Sequence, residues 1–335
     1  MSSQYTFMFR NDFPFRIFAV FCVSLLVFSC IDSTALAQGL GGYEVTTDKC
    51  DFCLASQGIS PLEMGRTGVR YDVRYLRLGS LYSNGTKIDD PTNDTETHFT
   101  NQLTFLYRVI PNLSAIAIVP IASRHESSLD SNGAVQSLEN SGLADISLLA
   151  RYNLIASHAF DATQIVSVSA GVKLATGNTS KRDASGDLAD AHLQLGTGST
   201  DLLLGTSVLL GFEDWSLNLN LLGGITGKGA NGHQFGNNLN YALTGRYRVY
   251  PNDMENPTFF VTLGVLGEWR AHELMDGVED PNSGGNVAYV APGVQIYFSP
   301  QFSFEASYQA PFVHALNGEQ LGESFRVMSG LQYMF

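Results

Sequence analysis

The sequence predicts an all-β fold: a closed, up-and-down antiparallel barrel of about twelve strands that crosses a membrane. Three observations predict it. From residue 65 onward, apolar and polar residues alternate in short runs, the period of a strand with two unlike faces. The connections between runs alternate in length, long then short. The chain also stops on "SGLQYMF", with Leu331, Tyr333 and Phe335 on one face and no tail after them. A soluble domain usually frays at its terminus, whereas this ending presents an apolar strand face.

The runs centre near residues 72, 104, 118, 149, 169, 206, 219, 245, 264, 293, 306 and 330. In the first, Val69, Tyr71, Val73 and Tyr75 oppose Arg70, Asp72 and Arg74. In the second, Phe99, Leu103, Phe105, Tyr107 and Val109 oppose Thr100, Gln102, Thr104 and Arg108. Near 149, Ala144, Ile146, Leu148, Ala150, Tyr152 and Leu154 oppose Asp145, Ser147, Arg151 and Asn153. In "WSLNLNL", Trp215, Leu217, Leu219 and Leu221 oppose Ser216, Asn218 and Asn220. The last run sets Phe325, Val327, Leu331, Tyr333 and Phe335 against Arg326 and Gln332. The runs near 118 and 206 are apolar on both faces. Pro292 cannot donate a ladder hydrogen bond and predicts a bulge or weak point near 293.

Long connections fall at 80–97, 125–142, 176–199, 225–238, 271–285 and 313–324; short ones fall near 111–112, 156–162, 213–214, 251–257 and 299–300. Strict alternation puts all the long loops at one end. That is the outer-membrane layout, with short periplasmic turns and long outside loops. Hydrocarbon offers no partner to a backbone N–H or C=O, so a spanning sheet must close on itself. Two periplasmic termini then require an even strand count.

Aromatic residues add a level mark. Tyr107, Tyr152, Tyr247, Phe259, Phe298 and Phe302 sit at short-turn strand ends on the apolar face, beside Trp215, where an interfacial girdle belongs. "YRVIPN" (107–112) and "YRVYPN" (247–252) repeat the pattern of lipid-facing Tyr, inward Arg and a Pro-Asn turn.

Net charge is −13, with 15% charged residues and 33 glycines in 335 residues. The acidic balance argues against nucleic acid as a partner, since phosphates need a basic face. Arg10 and Arg16 precede the apolar run Ile17 to Phe28, and Ala35-Leu36-Ala37 offers a small-residue cleavage site. This order reads as a secretory signal over 1–37, with the mature chain starting at Gln38. A lipoprotein reading through Cys30 competes, but the bulky Phe28 fits a lipobox poorly. No later window reaches the about 20 apolar residues that a spanning helix needs.

Residues 38–64 form a lead-in, dangling in the periplasm or folding into the lumen as a partial plug. It carries Cys50 and Cys53. Haem attachment would need a following His where Leu54 stands, and a redox motif would need a βαβ unit. Zinc would need more ligands. A local disulfide is the leading reading.

With polar faces inward, the lumen candidates are basic Arg70, Arg74, Arg108, Arg151, Lys173, Arg246, Arg248, Arg270 and Arg326, and acidic Asp72, Asp145, Asp201, Glu268 and Glu305. Nine basic against five acidic residues make an inward basic excess. Rings of Arg and Lys favour anions in pores, and Arg108, Arg151, Arg246 and Arg248 lie toward the periplasmic end. Arg108 and Arg248 rank first, from their equivalent places in the repeated motif. The competing reading has Arg and Asp pairing across strands to fill a narrow interior. Twelve strands lie between packed eight-strand barrels and open sixteen-strand pores. The outside loops hold Asp89, Asp90, Asp94, Glu126, Asp130, Asp183, Asp187, Asp190, Glu279 and Asp280, a solvated or cation-binding surface.

Catalytic signals are weak. His98, His125, His158, His192, His233, His272 and His314 sit in loops or at strand ends, not beside a Ser on the lipid face as a barrel lipase needs. "GGITGKGANG" (223–232) does not fit a phosphate loop. No enzyme, cofactor or metal is expected.

"GVKLATGNTS" (171–180), "LQLGTGSTDLLLG" (193–205), "ASYQAPF" (306–312) and the Phe terminus resemble the bacterial outer-membrane family called putative MetA-pathway of phenol degradation. The resemblance covers most of the chain from residue 65. Ala175 departs from it, since that family commonly has Pro before Thr-Gly. The resemblance implies a transporter-like barrel admitting aromatic or hydrophobic compounds, and it carries no catalytic residues. The terminal Leu331, Tyr333 and Phe335 also resemble the signal read by the bacterial barrel-assembly machinery. The expectation is thus a monomeric outer-membrane channel for small-molecule solutes, surrounded by lipid. The alternative is a plugged structural or adhesive barrel working through its acidic loops.

Overall fold

The computed structural model describes residues 67–335, apart from 131, 159–161, 213, 251–256 and 300. The signal segment 1–37 and the lead-in 38–64, with Cys50 and Cys53, lie outside the described residues.

Twelve strands build the wall: β1 (Thr67–Ser83), β2 (Thr95–Ile110), β3 (Leu113–Leu129), β4 (Ser147–His158), β5 (Ala162–Lys173), β6 (Asp201–Phe212), β7 (Trp215–Ile225), β8 (Asn238–Tyr250), β9 (Thr258–Arg270), β10 (Gly285–Tyr297), β11 (Phe302–Leu316) and β12 (Glu319–Met334). Each pairs antiparallel with its chain neighbours. β12 also pairs with β1, from Gly68↔Met334 to Ser83↔Glu319, which closes the ring. The Phe335 amide donates to the Thr67 carbonyl (2.8 Å), extending the closure to the last residue. Among the described residues, each of these twelve strands pairs on both sides, as a sheet in hydrocarbon requires.

The alternation has its expected consequence. On β1, Arg70, Asp72, Arg74, Leu76 and Leu78 are buried inside while Tyr71 is 38% exposed on the outside. Outward Leu331, Tyr333 and Phe335 are 42%, 45% and 66% exposed. This greasy exterior is the lipid-facing surface. Near the short-turn end, Phe212 stacks on Trp215 (4.0 Å) and Phe298 on Phe302 (5.3 Å).

At the long-loop end the wall departs from expectation in two places. Between β3 and β4, Val135–Leu143 pairs with the outer half of β3 before β4 takes over the ladder at Ile118↔Ser147. Much of the connection expected at 125–142 is therefore strand. The long connection expected at 313–324 is absent. β11 runs to Leu316, β12 starts at Glu319, and Gly318 turns the chain with φ 54°. Asn-Gly is a hairpin-turn dipeptide. Polar residues on both sides of it hide the strand period, so this hairpin reads as a loop.

Pro292 stays in register with Leu263 of β9. On its other side the β10–β11 ladder lapses between Val290↔Ala310 and Gly293↔Ser307, with a bulge between Ala288 and Tyr289. The lapse coincides with the missing N–H.

Candidate functional site in the barrel lumen

Two cross-strand rows of buried, inward residues define the lumen. The first runs Arg248–Phe260–Gln295–Glu305–Gly330–Asp72–Gln102 across β8, β9, β10, β11, β12, β1 and β2. Hydrogen bonds tie it to the adjoining inward residues Arg70, Arg246 and Ser216. The Arg70 Nε donates to Asp72 (2.8 Å) and its guanidinium also pairs with Glu305. Gln295 donates to Glu305 (3.4 Å) and accepts from Arg246 (2.6 Å), which in turn donates to Ser216 (3.2 Å). A buried polar group without a partner is costly, so the chain of bonds is what lets these groups sit inside. Gly330 is part of the design: a Cβ there would collide with the Asp72 carboxylate and come 2.7 Å from the Arg70 guanidinium.

The second row runs Met334–Gly68–Leu106–Ile116–Leu149–Gly171–Leu203 across β12 and β1 to β6. Leu106, Ile116, Leu149, Leu203 and Met334, with Ile118 and Leu222, form one apolar cluster. Gly68 makes room for Met334, and Gly171 for Leu149, whose Cγ would be 2.7 Å from an added Cβ. The sequence carried a signal for this row, since Leu106 and Leu149 share parity with Thr104 and Ser147. Reading only the polar members of the inner face missed it.

Each predicted lumen residue has a definite place. Arg70, Arg74, Arg151, Lys173, Arg246, Arg248 and Arg326 are buried, as are Asp72, Asp145, Asp201, Glu268 and Glu305. Arg108 and Arg270 are half-buried. Arg74 donates to Thr100 (3.3 Å). Arg108 and Arg151 flank Ser114 on one row. Arg248 pairs with Asp214 (2.6 Å), Arg326 with Glu323 (2.9 Å) and Arg270 with Glu268 (3.7 Å). Arg70, Lys173, Arg248, Arg270 and Arg326 thus each have a carboxylate within ion-pair distance. Arg124 and Glu323, absent from the sequence reading, are also buried inside.

The two glycine-threonine stretches meet at the long-loop end. Lys173 lies 2.6 Å from Asp201 and 3.5 Å from Asp145, and donates to Thr197 (2.8 Å). Asp145 accepts from the Gly177 amide and from both the amide and hydroxyl of Thr197, all at 2.9 Å. Asp201 accepts from the Ser199 hydroxyl (2.7 Å) and the Gly227 amide (2.8 Å). The backbones touch, since a Cβ on Gly177 would lie 2.7 Å from the Gly196 Cα. This knot ties down the connection 174–200, whose Leu195 packs with Ala122 and Ala144 on the inner wall. The Arg124 guanidinium donates to the His192 carbonyl, and Asn140 to that of Leu193 (2.8 Å).

Three outer connections converge beside it. Glu273, from 271–284, lies 3.3 Å from His192 of 174–200 and 3.0 Å from His233 of 226–237. Burial by itself would raise the Glu273 carboxyl, but the charges and hydrogen bonds of His192 and His233 outweigh it and hold the group well below the usual carboxylate range. No group of His, Cys, Asp or Glu among the described residues has the arrangement of a metal site.

A closed antiparallel cylinder with a lipid-facing exterior and a polar-bearing interior is an outer-membrane β-barrel. The chain belongs to the family described as "Putative MetA-pathway of phenol degradation", whose model matches residues 83–315. In fold it is similar to the COG4313 outer membrane channel from Pseudomonas putida F1, with TM-score 0.63, 18% identity, and 82% of this chain and 97% of that one covered. The β domain of the Bordetella autotransporter BrkA is more distant, with TM-score 0.41, 10% identity and coverage of 81% and 100%. So is the CymD monoaromatic hydrocarbon channel, with TM-score 0.40, 8% identity and coverage of 82% and 90%. No curated protein matches the chain in sequence.

Proposed function

We propose that this barrel is a passive outer-membrane channel for small molecules with an apolar body and a polar or anionic group, aromatic compounds and organic anions foremost. The observation that carries the reading is the pair of unlike rows lining one lumen, a hydrogen-bonded charged row and an apolar one. A purely polar lumen favours sugars and ions. An apolar row beside arginines lets a ring and a carboxylate be accommodated together. Membership in the family supports the same solute class. The role is non-enzymatic, and the inward Arg and Lys set, with Asp72, Asp145, Glu268 and Glu305, is its selectivity lining.

The rest of the chain fits this role. Residues 1–37 serve as a cleaved export signal. Residues 38–64 form a periplasmic lead-in or partial plug, stiffened by a Cys50–Cys53 disulfide. Outward Leu331, Tyr333 and Phe335 serve as the signal for the assembly machinery, and the barrel works as a monomer.

The test is conductance in a planar bilayer. The purified protein should conduct with anion preference, and Arg108→Ala with Arg248→Ala should weaken that preference. Silence in every salt would remove the channel reading. It would favour a plugged barrel working through its acidic loops, a reading supported by the carboxylate partners of five inner cations and the interlocked outer connections.

A further inference from the structure

Three buried polar atoms on three adjacent strands have no hydrogen-bond partner: Asn218 Oδ1 on β7, Arg246 Nη2 on β8 and Thr262 Oγ1 on β9. Arg246 is the direct cross-strand partner of Thr262 and of Ser216. Asn218 is one inward step along β7 from Ser216. The three residues are 5%, 3% and 7% exposed. Native proteins leave few such groups unsatisfied, and a cluster of them asks for a ligand or ordered water.

The rest of Arg246 is fixed. Its Nε donates to Ser216 (3.2 Å) and its Nη1 to Gln295 (2.6 Å). The guanidinium lies over the Phe260 ring at 4.5 Å, and Phe260 meets Tyr297 edge-on at 5.9 Å. Two of its three nitrogens are thus engaged by neutral groups, and the third donor is left over. No carboxylate among the described residues pairs with it, in contrast to Arg248 two residues on. The Gly293 backbone packs close to the Thr262 hydroxyl, since a Cβ there would come 2.7 Å from Thr262 Oγ1.

We propose that Asn218, Arg246 and Thr262 form a binding subsite for a small hydroxyaromatic carboxylate. A carboxylate is acceptor-only, which suits two donors, the Arg246 Nη2 and the Thr262 hydroxyl. A charge-assisted bond from a guanidinium is the stronger kind. The Asn218 carbonyl oxygen accepts the ring hydroxyl, and Phe260 and Tyr297 supply the aromatic flank. The inference rests on the channel reading and deepens it by naming the solute class and its contact point.

The test is binding, read apart from transport. Titration of a fluorinated 4-hydroxybenzoate into the full barrel in lipid nanodiscs, followed by fluorine NMR, should show saturable binding. R246Q should weaken it at least tenfold and T262V, which keeps shape and loses the donor, about threefold. The neutral 4-hydroxybenzyl alcohol analogue should change by less than twofold in either variant. Heat-modifiable mobility on gels checks that both variants are folded. If the acid does not bind above empty nanodiscs, or if R246Q weakens acid and alcohol equally, the subsite is overturned and water alone fills the space. Solute flux through the same protein is scored separately. Flux without binding keeps the channel and removes the subsite, and binding without flux does the reverse.

Discussion

The two lumen rows are equally buried, yet they are held by different physics. The charged row is a set of obligations: each carboxylate and guanidinium must find a partner, or the desolvation cost stands unmet. Arg70 meets Asp72 and Glu305, Gln295 bridges Glu305 to Arg246, and a glycine at 330 leaves room. The apolar row has no such obligations. Leu106, Ile116, Leu149 and Leu203 need only neighbours of the right volume, which Gly68 and Gly171 admit. The difference teaches that the inner face of a barrel is not simply the polar face. Parity decides which residues point in, and chemistry then divides them by what they need.

The strongest way to break the comparison is at the Lys173 knot. Lys173→Met leaves Asp145 and Asp201 buried without their shared cation, and stability should fall by about 3–5 kcal/mol. A urea titration of the refolded barrel, with proteolysis of the 174–200 connection, reads the loss. Next is the apolar row, where Leu203→Ala should cost about 2–5 kcal/mol without altering ion preference in a bilayer. That pairing of results sharpens the contrast, since a charged-row change should alter both. Gly330→Ala pushes a methyl group against the Arg70–Asp72 pair and should cost about 1–3 kcal/mol, with a shift in ion selectivity as the second readout.

The smallest effect is expected at the outer connections. The Glu273 carboxyl is depressed by His192 and His233. A carboxyl depressed in the folded state gives stability that is present above its ordinary range and is lost as pH falls through the depressed value. Protease resistance of 226–237 and 271–284 should therefore start to decline where free glutamates protonate and be lost completely only in stronger acid. Glu273→Gln should lower that resistance at neutral pH and remove the acid step.

Much of the wall was legible because a strand in lipid writes its geometry into adjacent letters. Val69 to Arg74 show their two faces by alternation alone, and so do the residues from Trp215 to Leu221. Alternation also shows outward Leu331 and Tyr333 on the strand that pairs with β1. The inner pairings were not legible, because they join distant residues: Arg70 reaches Glu305, and Lys173 reaches Asp201 across a long connection. Nothing local in "GVKLATG" says that its Gly177 will lie against Gly196. The hairpin at Asn317–Gly318 was hidden for the opposite reason. Its polar flanks carry no period, although the dipeptide itself signals a turn. Among the candidates, the repeated motif pointed to Arg108 and Arg248. The structure ties Arg248 to Asp214, and Arg246 Nη2 is among the buried atoms without a hydrogen-bond partner.

The most direct test of a lumen with two unlike rows is a swelling assay in proteoliposomes with solutes of matched size, an aromatic acid against a sugar. The account predicts that the acid enters several-fold faster than the sugar, and that Leu203→Ala and R246Q each erode that lead from a different side. Equal entry of both solutes, or no entry above protein-free liposomes, would contradict it.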